Sequence, residues 1–352
     1  MSFSVIKLVS QALVAILIFA LAGTSLVAAD EPETHQHLRS TAEDFLRLNV
    51  RPIAIGHHGV GPNTTDPTLP IENTVESVRQ AYKLGARVVE VDVQLTRDNR
   101  LAVFHDDFLS DFTCIHSLTI DQLQQRLPFV PELHQVLDVA RHFNQKSGDE
   151  LGGILIVELK ASSPHCDPSD EFEEPLISAV VPEIRKTEMG KQVILDSFSP
   201  ALLLLASQMA PEIPRELDID GLQLLTPAEI TAVTGFPVTI IDKKNSLGLT
   251  WAEIGPIFRL PGYASPQQFL AIAMGLNARV VGFELDFLGP AEQQQPGAGS
   301  ALVAAAHSLG LRAFADPAGN AFDWNFLARL GVDAIYSTIP LGVQLQPAIP
   351  EP

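Results

Sequence analysis

The feature that most constrains the fold is a regular exchange between short β-branched runs and helical patterns, beginning at Arg51. The runs are Ile53–His57, Val88–Gln94, Ile154–Leu159, Val193–Phe198, Leu217–Leu224, Arg279–Leu285, Leu311–Ala315 and Ala334–Thr338, with Val238–Ile241 competing for the fifth place. Helical stretches such as Thr74–Leu84, Glu173–Glu188, Pro200–Gln208, Pro266–Leu276, Ala301–Leu309 and Ala321–Leu330 lie between most of them. About eight strand-then-helix units mean parallel strands joined by helical crossovers, and a closed (β/α)8 barrel is favoured over an open doubly wound sheet. No G-x-G-x-x-G follows the first strand, which argues against a dinucleotide site.

One run breaks the alternation. Leu101–Phe104 follows Val88–Gln94 after only the six residues Leu95–Arg100. A parallel crossover needs a dozen or more, so Leu101–Phe104 must return antiparallel, with Asp98-Asn99 as its turn. That hairpin brings His105 back beside Glu90 and Asp92. Two helices, Thr119–Arg126 and Glu132–His142, complete a long insertion after the second barrel strand. Pro290–Ser300, rich in Gln and Gly, reads as a loop, and residues 341–352 as a Pro-rich tail.

Composition bounds the partners. The chain has 352 residues, 46% hydrophobic and 18% charged, which excludes a disordered polymer. Its formal charge of −19 argues against nucleic acid and against electrostatic adhesion to anionic lipid, although a local cation could still recruit a phosphate. Lys7 and the apolar run from Leu8 to Ala22, followed by Val27-Ala28-Ala29, form a signal-peptide pattern over residues 1–29. The expectation is cleavage after Ala29, a periplasmic or extracellular chain and no stable membrane span afterwards. An uncleaved anchor over Ala12–Ala29 is the alternative. Residues 30–50 then form a lead-in, and residues 51–340 the barrel.

The chemistry-bearing residues fall at strand ends. Glu90 and Asp92 flank Val91, and the period of two puts both carboxylates on one face. Adjacent acids repel unless a cation lies between them, and a hard divalent metal resolves this at the C-terminal end of a barrel strand. Glu158 and Lys160 repeat the spacing on the next barrel strand: Glu158 can add a third oxygen, and Lys160 can face an anionic substrate. A structural salt-bridge network is the competing reading. His57-His58-Gly59 ends the first strand and His105-Asp106-Asp107 the hairpin, which suits acid/base catalysis near neutral pH. Glu72 precedes Asn73-Thr74, a good helix N-cap, and could orient a His or Lys160 from the barrel mouth.

The motifs H-x-G (His57–Gly59), E-N-T (Glu72–Thr74), E-V-D (Glu90–Asp92), L-T-R-D, V-F-H-D (Val103–Asp106) and V-E-L-K (Val157–Lys160), in this order, resemble the glycerophosphodiester phosphodiesterase family. Asp196–Pro200 and Gly331–Ile335 extend the resemblance, which spans roughly residues 51–340 and thins from about 212 to 300. It implies a TIM (β/α)8 barrel that hydrolyses a glycerophosphodiester to an alcohol and glycerol 3-phosphate. It also implies His57 and His105 as acid and base in undecided order, a Ca2+ or Mg2+ ion on Glu90, Asp92 and Glu158, and Lys160 on the phosphate. A cyclic phosphate formed by the glycerol 2-hydroxyl is the implied route.

There are departures. His58 stands where the family has a phosphate-clamping Arg, and its W-T-V-N segment reads Ala315-Asp316-Pro317-Ala318 here. Losing the Arg removes a bidentate fork that an imidazole cannot reproduce. A non-catalytic glycerophosphodiester-binding barrel is therefore the rival from another class. A sphingomyelinase-D-like phospholipase and a phosphatidylinositol phospholipase C are enzymatic rivals. Cys114, past His105, and Cys166, past Lys160, leave the same rim from neighbouring strands, so in an exported chain a disulfide between them is expected.

Overall fold

The computed structural model describes residues 40–49, 52–61, 68–146, 152–163, 166–167, 169, 171–224 and 263–338. The leader and tail expectations, and Val238–Ile241, lie outside them.

Eight parallel strands close on themselves. They are β1 (Ile53–Gly56), β2 (Val88–Leu95), β4 (Ile154–Leu159), β5 (Val193–Ser197), β6 (Arg215–Ile219), β7 (Val280–Glu284), β8 (Arg312–Ala318) and β9 (Ala334–Ser337). The order runs β1-β9-β8-β7-β6-β5-β4-β2, and pairing of β1 with β2 completes the TIM barrel. The ninth strand, β3 (Leu101–Val103), pairs antiparallel with the end of β2, Val93 opposite Val103 and Leu95 opposite Leu101. Asn99, in the expected Asp98-Asn99 turn, takes the left-handed conformation (φ 57°).

The strands sort their side chains by the period of two. Val89, Val91 and Val93 of β2, with Leu155, Val157 and Leu159 of β4, face α2 (Val75–Lys83) and the helices Leu133–Lys146 and Glu173–Lys186 in the outer core. The barrel interior is apolar below: Ile55, Val88, Ile154, Ile156, Ile194, Val280, Phe314 and Tyr336 pack together. The short helix α1 (Ala42–Leu46) joins this interior cluster, its Phe45 ring 5.6 Å from Phe314. Its Thr41 cap and Asp44 form a capping box, and Arg312 Nε donates to Leu46 O at 2.5 Å. The end of the expected lead-in thus belongs to the barrel floor. Nothing in its sequence periodicity marks that role, because a five-residue helix is too short to show one.

Two boundaries differ from expectation. The fifth barrel strand, β6, ends at Ile219, and Gly221–Leu224 is a 3-10 turn rather than strand. The expected loop over Pro290–Ser300 is mostly helical. The helix Leu285–Gln294 and the next, Ala298–Ser308, leave only Gln295–Gly297 between them. Burial of Phe287 and Leu288 outweighs the bond that Pro290 cannot make, and Glu292 accepts from the N–H groups of Gly297 and Gly299 to cap the second helix. Among the described residues no helix is long and apolar enough to cross a membrane.

Candidate active site

Register assembles the site. Across β2 and β4, Asp92 stands opposite Glu158, and Glu90 opposite Ile156. One oxygen from each of Glu90, Asp92 and Glu158 can be chosen so that all three lie within 4.8 Å of one another. Glu90 Oε1 is buried without a hydrogen-bond partner, and Asp92 and Glu90 are almost fully inaccessible. Burial, and then the neighbouring Asp92 charge, push the Glu90 carboxyl well above its ordinary range; burial also raises Glu158. Burial acts the same way on Asp92, but Lys160, His58 and His105 hold it well below that range. Three convergent oxygens, one orphaned, fit a hard divalent cation.

Lys160 lies against the same group, its Nζ 2.8 Å from Glu158 Oε1 and 3.2 Å from Asp92 Oδ1. Burial alone would lower its pKa; the two carboxylates keep it well raised, so it is a cation.

His58 takes a left-handed conformation (φ 50°) that turns its N–H onto Glu90 Oε2 at 2.8 Å. Its ring lies 3.2 Å from Asp92 Oδ2 and 3.7 Å from Glu72 Oε2. Burial would lower its pKa, but Asp92, Glu90 and Glu72 lift it to about 10, so the imidazole is charged at neutral pH. His57 is the opposite case: burial first, then the His58 charge, hold it well below its ordinary value. Its Nδ1 is 3.6 Å from Asp316 Oδ1 and its Nε2 4.0 Å from Glu90 Oε2. His105 comes off the hairpin with Nδ1 2.8 Å from Asp106 Oδ1 and its ring 5.3 Å from that of His58. All the expected site residues therefore meet at one barrel mouth, Glu72 at its edge.

Three further residues hold this arrangement. Asn73 was legible only as a cap candidate, yet Thr74 is the cap of α2. Asn73 sits instead in a left-handed turn (φ 55°), its Nδ2 donating to Asp92 Oδ2 at 2.6 Å and its Oδ1 accepting from the Asp92 N–H at 3.0 Å. Gln94 Nε2 donates to the carbonyls of Phe104, His105 and Asp106 and so fixes the hairpin exit. Both signals were present, in E-N-T and in the face shared by Glu90, Asp92 and Gln94. Asp316, which stood only as a departure from the family pattern, faces His57.

Cys114 and Cys166 are bridged, Cα atoms 5.5 Å apart. His116 Nε2 lies 2.7 Å from Cys166 O, and Asp107 Oδ2 accepts from Ser163 N–H at 2.7 Å, so the insertion is tied to the rim after β4. His307 has no part in the site: it pairs with Asp333 at 2.8 Å.

Three carboxylates, a lysine and paired histidines thus meet at the C-terminal mouth of a (β/α)8 barrel, and comparison gives the family. The profile of the glycerophosphoryl diester phosphodiesterase family matches residues 57–338, and the chain belongs to it. A glycerophosphodiester phosphodiesterase of Caldanaerobacter subterraneus is 29% identical over 182 residues, 47% of this chain and 65% of that protein. A glycerophosphocholine phosphodiesterase of Eremothecium gossypii is 41% identical over 97 residues, 26% of this chain but 7% of that protein. The chain thus spans under two thirds of the length of these relatives. Among solved structures, a glycerophosphodiester phosphodiesterase of Thermotoga maritima superposes with TM-score 0.55 at 17% identity, covering 85% of this chain and all of that one. A phosphodiesterase of Oleispira antarctica in complex with sn-glycerol-3-phosphate gives 0.54 at 20% identity, covering 83% and 95%.

Proposed function

We propose that the protein is a metal-dependent glycerophosphodiester phosphodiesterase that releases an alcohol and glycerol 3-phosphate. The observation that carries this is the convergence of Glu90, Asp92 and Glu158 beside Lys160, with His57 and His105 at the same mouth. The names of the relatives and the glycerol-phosphate complex of the Oleispira protein agree with it.

Glu90, Asp92 and Glu158 would hold Ca2+ or Mg2+, which when bound supplies Lewis-acid stabilisation of the charge on a phosphoryl oxygen. Lys160 adds a fixed positive charge, and Asn73 keeps Asp92 aimed into the mouth. His57, neutral through burial, can accept the proton of the nucleophile. His105, its Nδ1 engaged by Asp106, presents the other ring nitrogen to the leaving alkoxide. His58 takes the place of the family Arg as an imidazolium maintained by its carboxylate neighbours.

Export is part of the proposal: the signal-peptide pattern and the bridged cysteines both suit an oxidising compartment. The direct test is purified protein incubated with glycerophosphocholine, glycerophosphoethanolamine and glycerophosphoglycerol, with and without chelator, assaying glycerol 3-phosphate. Release that chelator abolishes and divalent metal restores is expected. No release from any diester would refute the activity, and full release in chelator would refute the metal.

A further inference from the structure

The acidic ring of the barrel continues past the residues used so far. Glu158 of β4 is in register with Asp196 of β5, and Asp196 with Glu216 of β6; Asp218 follows on the same face. These three carboxylates are 6% exposed or less. One oxygen from each can be chosen so that all lie within 4.8 Å of one another.

We propose that Asp196, Glu216 and Asp218 hold a second hard divalent cation, distinct from the one on Glu90, Asp92 and Glu158.

The first support is the unpartnered oxygens. Asp196 Oδ1, Glu216 Oε1 and Asp218 Oδ1 are each buried without a hydrogen-bond partner, although Glu216 Oε2 accepts from Tyr336 Oη at 2.8 Å. Two of them lean over one spot. A Cβ on Gly282 of β7 would meet Asp218 Oδ1 at 1.9 Å and Glu216 Oε1 at 3.1 Å, so the bare glycine leaves the space these oxygens occupy. The second support lies outside the acidic cluster. The hydroxyl of Tyr263, a residue 3% exposed, is also buried without a hydrogen-bond partner; burial first, and the neighbouring Asp218 charge second, disfavour its ionised form.

Neighbouring cations are already engaged. Lys160, whose charge reaches Asp218, is held by Glu158 and Asp92. Arg215, on the same strand, donates to the carbonyls of Ile213, Leu276 and Asn277. A proton shared by Asp196 and Asp218, which lie within hydrogen-bond reach of each other, is the alternative. It satisfies that pair and leaves Glu216 Oε1 orphaned. A cation satisfies all three, and an all-oxygen donor set selects Ca2+ or Mg2+ over softer metals.

The test counts ions rather than turnover. Full-length protein stripped by chelator and dialysis is titrated with Ca2+ and, separately, Mg2+, by calorimetry and by equilibrium dialysis. Two ions per chain are expected for at least one of these metals, falling to one in Glu216→Gln and to one in Glu90→Gln. One ion per chain in the unaltered protein, retained in Glu90→Gln and lost in Glu216→Gln, would refute the cation of the proposed function and leave this second site standing. One ion per chain in the unaltered protein, abolished by Glu90→Gln, would overturn the second site. So would two ions retained by both Glu216→Gln and Asp218→Asn. Should either variant fail to fold, Asp196→Asn replaces it, and the count in the unaltered protein alone can still refute the site.

Discussion

The Cys114–Cys166 bridge gives a prediction whose magnitude follows from chain length. It closes a sequence separation of 52 residues, which by the loop-entropy relation removes about 14 cal/mol/K from the unfolded ensemble, or about 4 kcal/mol at 25 °C. The described residues, about 240 of them, would unfold with an entropy near 0.5 kcal/mol/K, so breaking the bridge should lower Tm by about 8 °C. The local consequence is directional. The proposed metal ligands Glu90, Asp92 and Glu158 sit on β2 and β4 and should stay in place, whereas His105 belongs to the segment that Cys114 ties to the rim. Reduction should therefore lower kcat more than it weakens cation binding. The assay is thermal unfolding of the oxidised protein, the fully reduced protein and Cys114→Ser with Cys166→Ser, alongside thiol titration of the denatured, unreduced chain. Two free thiols per chain, or a Tm that does not move on full reduction, would refute the reasoning.

Four further outcomes are expected. Glu90→Gln or Asp92→Asn should abolish turnover while circular dichroism shows an intact barrel; full activity in both would remove the metal assignment. His105→Ala should lower kcat by roughly 100-fold or more with little change in KM, measured by steady-state kinetics. His58→Arg should lower activity, since the ring is packed between Asp92 and Glu72 rather than facing open space; an improved KM would show instead that residue 58 behaves as a simple phosphate clamp. Because burial holds the Glu90 and Glu158 carboxyls above their ordinary range, protons compete with the cation, so its affinity should weaken as pH falls, and calorimetry finding no change would count against it.

The sequence made the fold and half of the mouth readable for one reason: each inference needed only a local period. Glu90 and Asp92 are two apart on a clean strand, and a six-residue gap forces a hairpin that returns His105. The other half failed where a boundary was misplaced. With β6 begun at Leu217, Glu216 fell outside it, and its place beside Asp218 on one face could not be seen. The burial of Asp196 against them depends on a register across three strands, which no local pattern contains. Asn73 was hidden differently: a cap explained it locally, and its bond to Asp92 is a contact across 19 residues.

The charge of the mouth then connects the parts. A glycerophosphodiester is an anion, yet the chain carries a formal −19, and its mouth is lined by Glu90, Asp92, Glu158, Asp196, Glu216, Asp218, Glu284 and Asp316. Against these stand Lys160 and an imidazolium, His58, whose charge depends on the same carboxylates. An Arg at position 58 would be charged whatever surrounded it; His58 is charged because Asp92, Glu90 and Glu72 make it so. On the proposed function, the positive potential that an anionic substrate needs would come chiefly from bound cations. On this view the acidity that argued against nucleic acid and lipid is the means by which the mouth gathers divalent ions, and with them a phosphate.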